Sequence, residues 1–97
     1  GLMEQADAKG AQYERRLVGH PAVREIRRTG LLMGVEFGDP ALTQRIVLRA
    51  VERGLMTEWF LFRDTAMRIA PPLTITPAEI DESCDILLDV LREVTGS

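Results

Sequence analysis

The segment Met67–Leu73, with the sequence MRIAPPL, constrains the fold of this chain more than any other. It places one arginine, Arg68, inside an apolar run that stops at Pro71 and Pro72. Proline has no N–H to donate to a sheet, so the two prolines fix where a strand must end. An arginine in such a run needs a partner, because its charge cannot be neutralised and its donors need acceptors. The sequence therefore predicts a strand whose end carries Arg68, and Glu36 and Glu58 are the candidate partners within the chain.

Composition limits the class of protein. A chain of 97 residues predicts one domain, spanning residues 1–97. The net charge of −3 argues against nucleic acid as a partner, and no apolar run is long enough to span a membrane. The only cysteine, Cys84, cannot form an intramolecular disulfide, which favours a reducing compartment and predicts a cytoplasmic location.

Periodic apolar positions and end signals predict three helices, at about residues 2–18, 40–53 and 77–94. Asp39 followed by Pro40 is a typical start for the second helix. The sequence TPAE, which begins at Thr76, is a capping box that starts the third. Alternating patterns predict strands at 22–28, 31–37, 55–62 and 66–70, with a turn at 63–65.

The predicted fold class is α+β, with the element order α-β-β-α-β-β-α. The expected architecture is a small, mainly antiparallel sheet of three to four strands with helices packed on one side. The passage from Phe37 to Leu55 runs strand, helix, strand, and it would give one parallel pair if its two strands were neighbours.

No set of residues in the sequence forms a catalytic or metal site. His20 has no second histidine or cysteine with which to complete a metal set, and it is interpreted as a partner for the helix end before it. Cys84 lies in an apolar helical stripe and is interpreted as a core thiol. The basic cluster Arg24, Arg27 and Arg28 includes Glu25, which favours a solvated strand face or turn over an anion site.

Two segments of the sequence resemble the class III aminotransferases. Val23–Phe37 is similar to their V-R-G-x-G-L-M-x-G-x-E segment, and Arg68–Asp81 is similar to their L-R-x-x-P-P-L-x-I-T-x-x-E-I-D segment. Both occur in the order and at the separation typical of the family. The family includes ornithine, acetylornithine, putrescine and 4-aminobutyrate aminotransferases, and these proteins are several times longer than this chain.

The resemblance implies that residues 1–97 are the C-terminal small domain of such an enzyme, with the fold of the small domain of fold-type I enzymes. Its partners would be the large cofactor-binding domain of the same chain and, in a homodimer, a second copy. The family holds pyridoxal 5′-phosphate as a Schiff base on a lysine of the large domain. Lys9, the only lysine here, does not match that motif. The resemblance therefore implies no cofactor bound to this segment and no activity of the segment alone.

The resemblance also implies a role for one residue. The arginine of the R-x-x-P-P-L segment, which is Arg68 here, reaches the active site in the ornithine and 4-aminobutyrate branches. There it pairs with a glutamate of the large domain or receives a substrate carboxylate. The intact enzyme would transfer an amino group from an ω-amino acid or diamine, such as ornithine or acetylornithine, to a 2-oxo acid such as 2-oxoglutarate.

A second hypothesis remains open from the residues alone. The chain would be a free-standing α+β module that binds a ligand or a protein without catalysis. Its contact surface would be formed by Trp59, Phe60 and Phe62, because both faces of the predicted strand 55–62 are largely apolar.

Overall fold

The computed structural model describes all residues of the chain, 1–97. Its elements, in order, are α1 (Leu2–Leu17), β1 (Glu25–Thr29), β2 (Leu32–Glu36), α2 (Pro40–Glu52), β3 (Phe60–Arg63), β4 (Ala66–Ile69) and α3 (Pro77–Thr95). Each helix begins at the residue that the spacing predicts and ends within one residue of the predicted end. The α+β class is confirmed.

Local side-chain chemistry explains the starts of α2 and α3. The Asp39 carboxylate accepts hydrogen bonds from the N–H groups of Ala41 at 2.9 Å and Leu42 at 3.3 Å. The capping box of α3 is closed in both directions. The Glu79 N–H donates to the Thr76 hydroxyl at 3.1 Å, and the Thr76 N–H donates to the Glu79 carboxylate at 2.9 Å. These bonds satisfy backbone donors that a helix start otherwise leaves unpaired.

The four strands form one antiparallel sheet in the order β1-β2-β4-β3. The predicted possibility of a parallel pair is wrong, because β4 lies between β2 and β3. The chain leaves β2, passes through α2, skips one strand position, and returns to that position only after the β3–β4 hairpin. The central strand β4 therefore pairs on both of its edges.

Two predicted strands begin later than expected. Residues 22–24 precede β1 rather than belonging to it, and residues 55–59 precede β3. The backbone N–H groups of Trp59 and Phe60 both donate to the Met56 carbonyl, at 3.1 and 3.2 Å. This turn takes the place of the extended conformation that the alternating pattern predicts for residues 55–59. The predicted turn at 63–65 shortens to Asp64 and Thr65, because Arg63 pairs with Ala66 as the last residue of β3.

All three helices lie on one face of the sheet, and the core fills the space between. Leu31, Met33, Val35 and Phe37 are buried there, as the alternation predicts. Across the sheet, Met33 is opposite Ile69 and Ile69 is opposite Phe60, and all three are at most 2% exposed. The other face of the sheet carries no helix, and this open face is where the candidate site lies.

Candidate functional site on the open face of the sheet

Arg68 lies in the middle of the open face. It stands opposite Gly34 of β2 on one side and opposite Leu61 of β3 on the other. Directly paired residues of antiparallel strands point to the same face, so Arg68 points away from the helices. Its side chain is half-buried and makes no ion pair or side-chain hydrogen bond within the chain. The structure thus leaves a fixed guanidinium on a central strand without a counter-charge.

Neither carboxylate proposed from the sequence pairs with Arg68. The Glu36 carboxylate accepts hydrogen bonds from Arg27 Nη2 at 3.2 Å and from the Gly38 N–H at 2.9 Å. Hydrogen bonding to Thr65 first, and then to Arg27 and Gly38, lowers the pKa of Glu36 below its ordinary value. Glu58 lies in the turn before β3, where its carboxylate accepts a hydrogen bond only from the Thr57 hydroxyl, at 3.5 Å. An internal structural partner for Arg68 is therefore absent.

A shallow depression of about 430 Å³ surrounds Gly34 on the open face. We call it the arginine depression and define it by Arg27, Gly34, Arg63 and Arg68, which line it with neighbouring residues. Gly34 lies between Arg27 and Arg68 in one row across three strands. A Cβ built at Gly34 would have only Arg27 Nη2, at 3.8 Å, as a neighbour. The missing side chain therefore leaves open space between two guanidinium groups.

The basic cluster of the sequence is divided between the two faces of the sheet. Arg28 points toward α1 and binds Asp7 and Glu14, each at 2.9 Å. Arg27 points to the open face and binds Glu25 as well as Glu36. Arg24 packs against Gly38. The predicted solvated strand face therefore describes Arg27, whereas Arg28 is held between the sheet and α1.

The only lysine does not provide a site for pyridoxal phosphate. Lys9 Nζ donates to the Leu73 carbonyl at 2.5 Å and is half-buried. The bond ties α1 to the loop that follows Pro71 and Pro72. An ammonium group held in this way is not presented to a cofactor. The residues of this chain therefore do not fit a set that would hold pyridoxal phosphate covalently.

The other residues considered as chemical candidates serve the fold. The His20 imidazole accepts the Ala22 N–H through Nδ1 at 3.0 Å, so it closes a turn. No hydrogen bond of its side chain supports the predicted role as a partner for the end of α1. Cys84 is fully buried, and burial raises the pKa of its thiol to about 12. Burial likewise raises the pKa of Tyr13 to about 12, and its hydroxyl bonds Ser83 at 2.9 Å. No group of histidine, cysteine or acidic side chains has the geometry to hold a metal ion.

The aromatic contact surface of the second hypothesis does not form. Phe60 is 1% exposed and belongs to the core, and Trp59 is half-buried against it. Only Phe62 remains exposed, at 42%, on the edge strand. Core packing therefore separates the three residues.

Comparison with known proteins decides the family. The family described as "Aminotransferase class-III" matches residues 1–91. The chain belongs to this family. It is 39% identical over 98 residues to the acetylornithine aminotransferase of Caldanaerobacter subterraneus, covering 97% of this chain and 24% of that protein. It is 38% identical over 97 residues to the diaminobutyrate–2-oxoglutarate transaminase of Streptomyces anulatus, covering 96% of this chain and 23% of that protein.

Solved structures agree with this assignment. A thermostable omega transaminase 6-fold mutant from Pseudomonas jessenii has a TM-score of 0.83 and 27% identity, covering 98% of this chain and 24% of that one. An ornithine aminotransferase from Toxoplasma gondii, described with partial occupancy of PLP at its active site, has a TM-score of 0.78 and 30% identity over the same shares. The class III chain thus spans about a quarter of the length of the relatives it matches. None of its helices is long and apolar enough to cross a membrane.

Proposed function

We propose that this class III chain is the C-terminal small domain of an aminotransferase that uses pyridoxal 5′-phosphate. The intact enzyme would transfer an amino group from an ω-amino acid or diamine, of the ornithine or acetylornithine type, to a 2-oxo acid such as 2-oxoglutarate. The names of the acetylornithine, diaminobutyrate and ornithine relatives support this substrate class. The bound cofactor would supply the electron sink for the transfer.

The observation that carries the proposal is the unpaired guanidinium of Arg68. Its strand is paired on both edges, so the backbone holds the group in one place. A planar fork of donors in a fixed position suits a carboxylate, which it can bind through two parallel hydrogen bonds. Because no carboxylate of this chain fills that place, we assign it to a substrate carboxylate or to an active-site glutamate of the large domain.

The open face is also the surface on which we place the large domain. An unpaired guanidinium and exposed apolar side chains lie there together, with Leu32 42% and Leu61 45% exposed. The relatives are about four times longer than this chain, so the rest of such a protein has the size to cover this face. We further propose that the intact enzyme is a homodimer in the cytoplasm, where a lone cysteine is stable as a thiol.

The test is an amino-transfer assay on the longer protein that contains this segment, with ornithine, acetylornithine and diaminobutyrate as donors and 2-oxoglutarate as acceptor. We expect transfer with at least one donor. We expect Arg68→Gln to lower kcat/KM by tenfold or more, since removing a charge-assisted bond costs about 1.5–3 kcal/mol. Arg45→Gln is the matched control, because Arg45 is an exposed α2 residue without an ion pair. It should leave kcat/KM unchanged.

Two results would count against the proposal in different ways. Failure to transfer an amino group from any of the three donors would reject the reaction. Full activity of the Arg68→Gln variant would leave the proposed reaction standing and would reject the proposed role of Arg68. The 97-residue chain alone, incubated with pyridoxal phosphate, should show no cofactor absorbance band that borohydride fixes to Lys9.

A further inference from the structure

Arg63 shares the open face with Arg68. It ends β3 opposite Ala66, and two residues earlier on the same strand Leu61 stands opposite Arg68. Residues two apart on a strand point to the same face, so Arg63 is the diagonal neighbour of Arg68. Such diagonal positions are about 7–8 Å apart, within reach of long side chains. Both side chains line the arginine depression.

The two arginines have no counter-charge within the chain, unlike the others near them. Arg27 binds two carboxylates, and Arg28 binds two on the opposite side of the sheet. Neither Arg63 nor Arg68 has a carboxylate within ion-pair distance. The depression is therefore locally positive on a chain whose net charge is −3. Two like charges placed side by side favour a ligand with negative charge between them.

Small residues form the floor of the space between the charged groups. Gly34 separates Arg27 from Arg68 in one cross-strand row, and Ala66 separates Glu36 from Arg63 in the next row. Glu36 is already held by Arg27 and by the Gly38 N–H. An anionic group above Gly34 and Ala66 would thus meet Arg63 and Arg68 without displacing an existing ion pair of either.

We infer that Arg63 is a second anion-binding residue of the arginine depression, and that it selects ligands with two carboxylates over ligands with one. Arg68 takes one carboxylate and Arg63 takes the other. The inference deepens the proposed function and rests on it, because it assigns the specificity of the same site. It concerns only residues that this chain supplies, so it can be tested on the chain by itself.

The experiment is an NMR titration of the 97-residue chain with succinate and, separately, with butyrate, which has the same carbon count and one carboxylate. The side-chain Nε–H resonances of the arginines report binding. We expect succinate to bind about fivefold more tightly than butyrate, which is the upper value for one exposed ion pair. Arg63→Gln should abolish this preference and leave butyrate binding unchanged, whereas Arg68→Gln should weaken both ligands.

Matched variants separate a specific site from general charge attraction. Arg45→Gln removes one positive charge, as Arg63→Gln does, but on the far helix α2. It should leave the succinate preference unchanged. Arg63→Lys keeps the charge but loses the planar fork of donors. It should therefore reduce the preference for succinate over butyrate to about half or less. Circular dichroism confirms that each variant is folded.

Three results of these titrations would refute three different statements. A succinate preference that survives Arg63→Gln, or that falls equally with Arg45→Gln, would refute the role of Arg63 and leave the proposed function standing. Titrations without any saturable shift would refute the depression as an anion site of this chain, while amino transfer by the longer protein would still stand. Unchanged binding in Arg68→Gln would instead reject the residue on which the proposed function rests.

Discussion

Replacing Gly10 by alanine reverses the usual effect of that substitution, and this provides the sharpest test of the packing. Alanine is the best helix former, so Gly→Ala inside a helix normally stabilises a protein by about 0.5–1 kcal/mol. Gly10 is a buried residue in the middle of α1. There α1 crosses the turn between β1 and β2. A Cβ at this position would lie 1.9 Å from the Gly30 carbonyl oxygen and 2.9 Å from the Gly30 carbonyl carbon.

The size of the effect follows from that distance. Ordinary van der Waals contact begins at 3.4 Å, so the helix and the turn would have to separate by about 1.5 Å. Arg28 Nη1, also 2.9 Å away, could move, but the two Gly30 atoms belong to the backbone and cannot rotate away. Overpacking of this kind costs about 1–3 kcal/mol, occasionally more. The separation would also stretch the bonds from Arg28 to Asp7 and to Glu14.

Because the nearest clash is with rigid backbone, we take about 2–3 kcal/mol for the overpacking and subtract about 1 kcal/mol of helix propensity, so Gly10→Ala should lower the free energy of unfolding by about 1–2 kcal/mol. For a domain of this size the melting temperature should fall by roughly 4–16 °C. Urea and thermal melts, followed by far-ultraviolet circular dichroism and by the fluorescence of Trp59, measure both quantities.

The control is Ala8→Gly, on the exposed side of the same helix. It should cost about 0.5–1 kcal/mol, which shows that α1 obeys ordinary propensity where nothing crosses it. A Gly10→Ala variant that is as stable as the parent chain, or more stable, would refute the close approach of α1 to Gly30.

Four further outcomes follow from the contacts described. Asp39→Ala should lower the free energy of unfolding by about 1 kcal/mol in urea melts, because α2 loses both of its capping bonds. Glu36 has a folded pKa below its ordinary value of 4.5, so its contribution to stability is present above that pH and is lost as the pH falls. The acid limb of a stability–pH curve should therefore be flatter in Glu36→Gln. Iodoacetamide should modify Cys84 only after unfolding, since burial and a pKa of about 12 leave almost no thiolate at neutral pH. Sedimentation at high concentration should show weak self-association, and Phe62→Ser should reduce it, because Phe62 is an exposed aromatic on β3, an edge strand whose outer edge is unpaired. Free thiol labelling in the folded state, or a strict monomer before the Phe62 change, would contradict the last two.

The helices could be predicted from the sequence because their ends are set by neighbouring residues. The Asp39 cap and the Thr76–Glu79 box act over three residues or fewer, so the printed sequence contains all the information they need. The start of β3 depends on more distant contacts. Its residues alternate from Leu55 onward, yet the strand begins only at Phe60, where pairing with Ile69 of β4 begins. Local pattern cannot show where a later strand will pair.

Gly10 illustrates a second limit of the sequence. Its position on the inner side of α1 follows from helical periodicity. The need for glycine there does not, because it depends on the Gly30 carbonyl, twenty residues away along the chain. The same holds for Lys9, whose bond to the Leu73 carbonyl joins α1 to the loop before α3. Tertiary contacts of this kind explain single residues that no local rule requires.

One arginine of the candidate site could be predicted from the sequence and the other could not. Arg68 follows from the sequence, since a charged residue in a strand that ends at two prolines can be placed without a structure. Arg63 does not, because the sequence places it in a turn. The predicted turn has three residues, 63–65, whereas the hairpin loop of the structure has two, Asp64 and Thr65.

Asp64 adopts a positive φ of 57°, a conformation that aspartate tolerates better than most residues. This tight loop fixes the register that sets Arg63 opposite Ala66 and Leu61 opposite Arg68. A slip of one residue would turn Arg63 to the helix side of the sheet. The two-residue loop is therefore what places a second guanidinium beside Arg68.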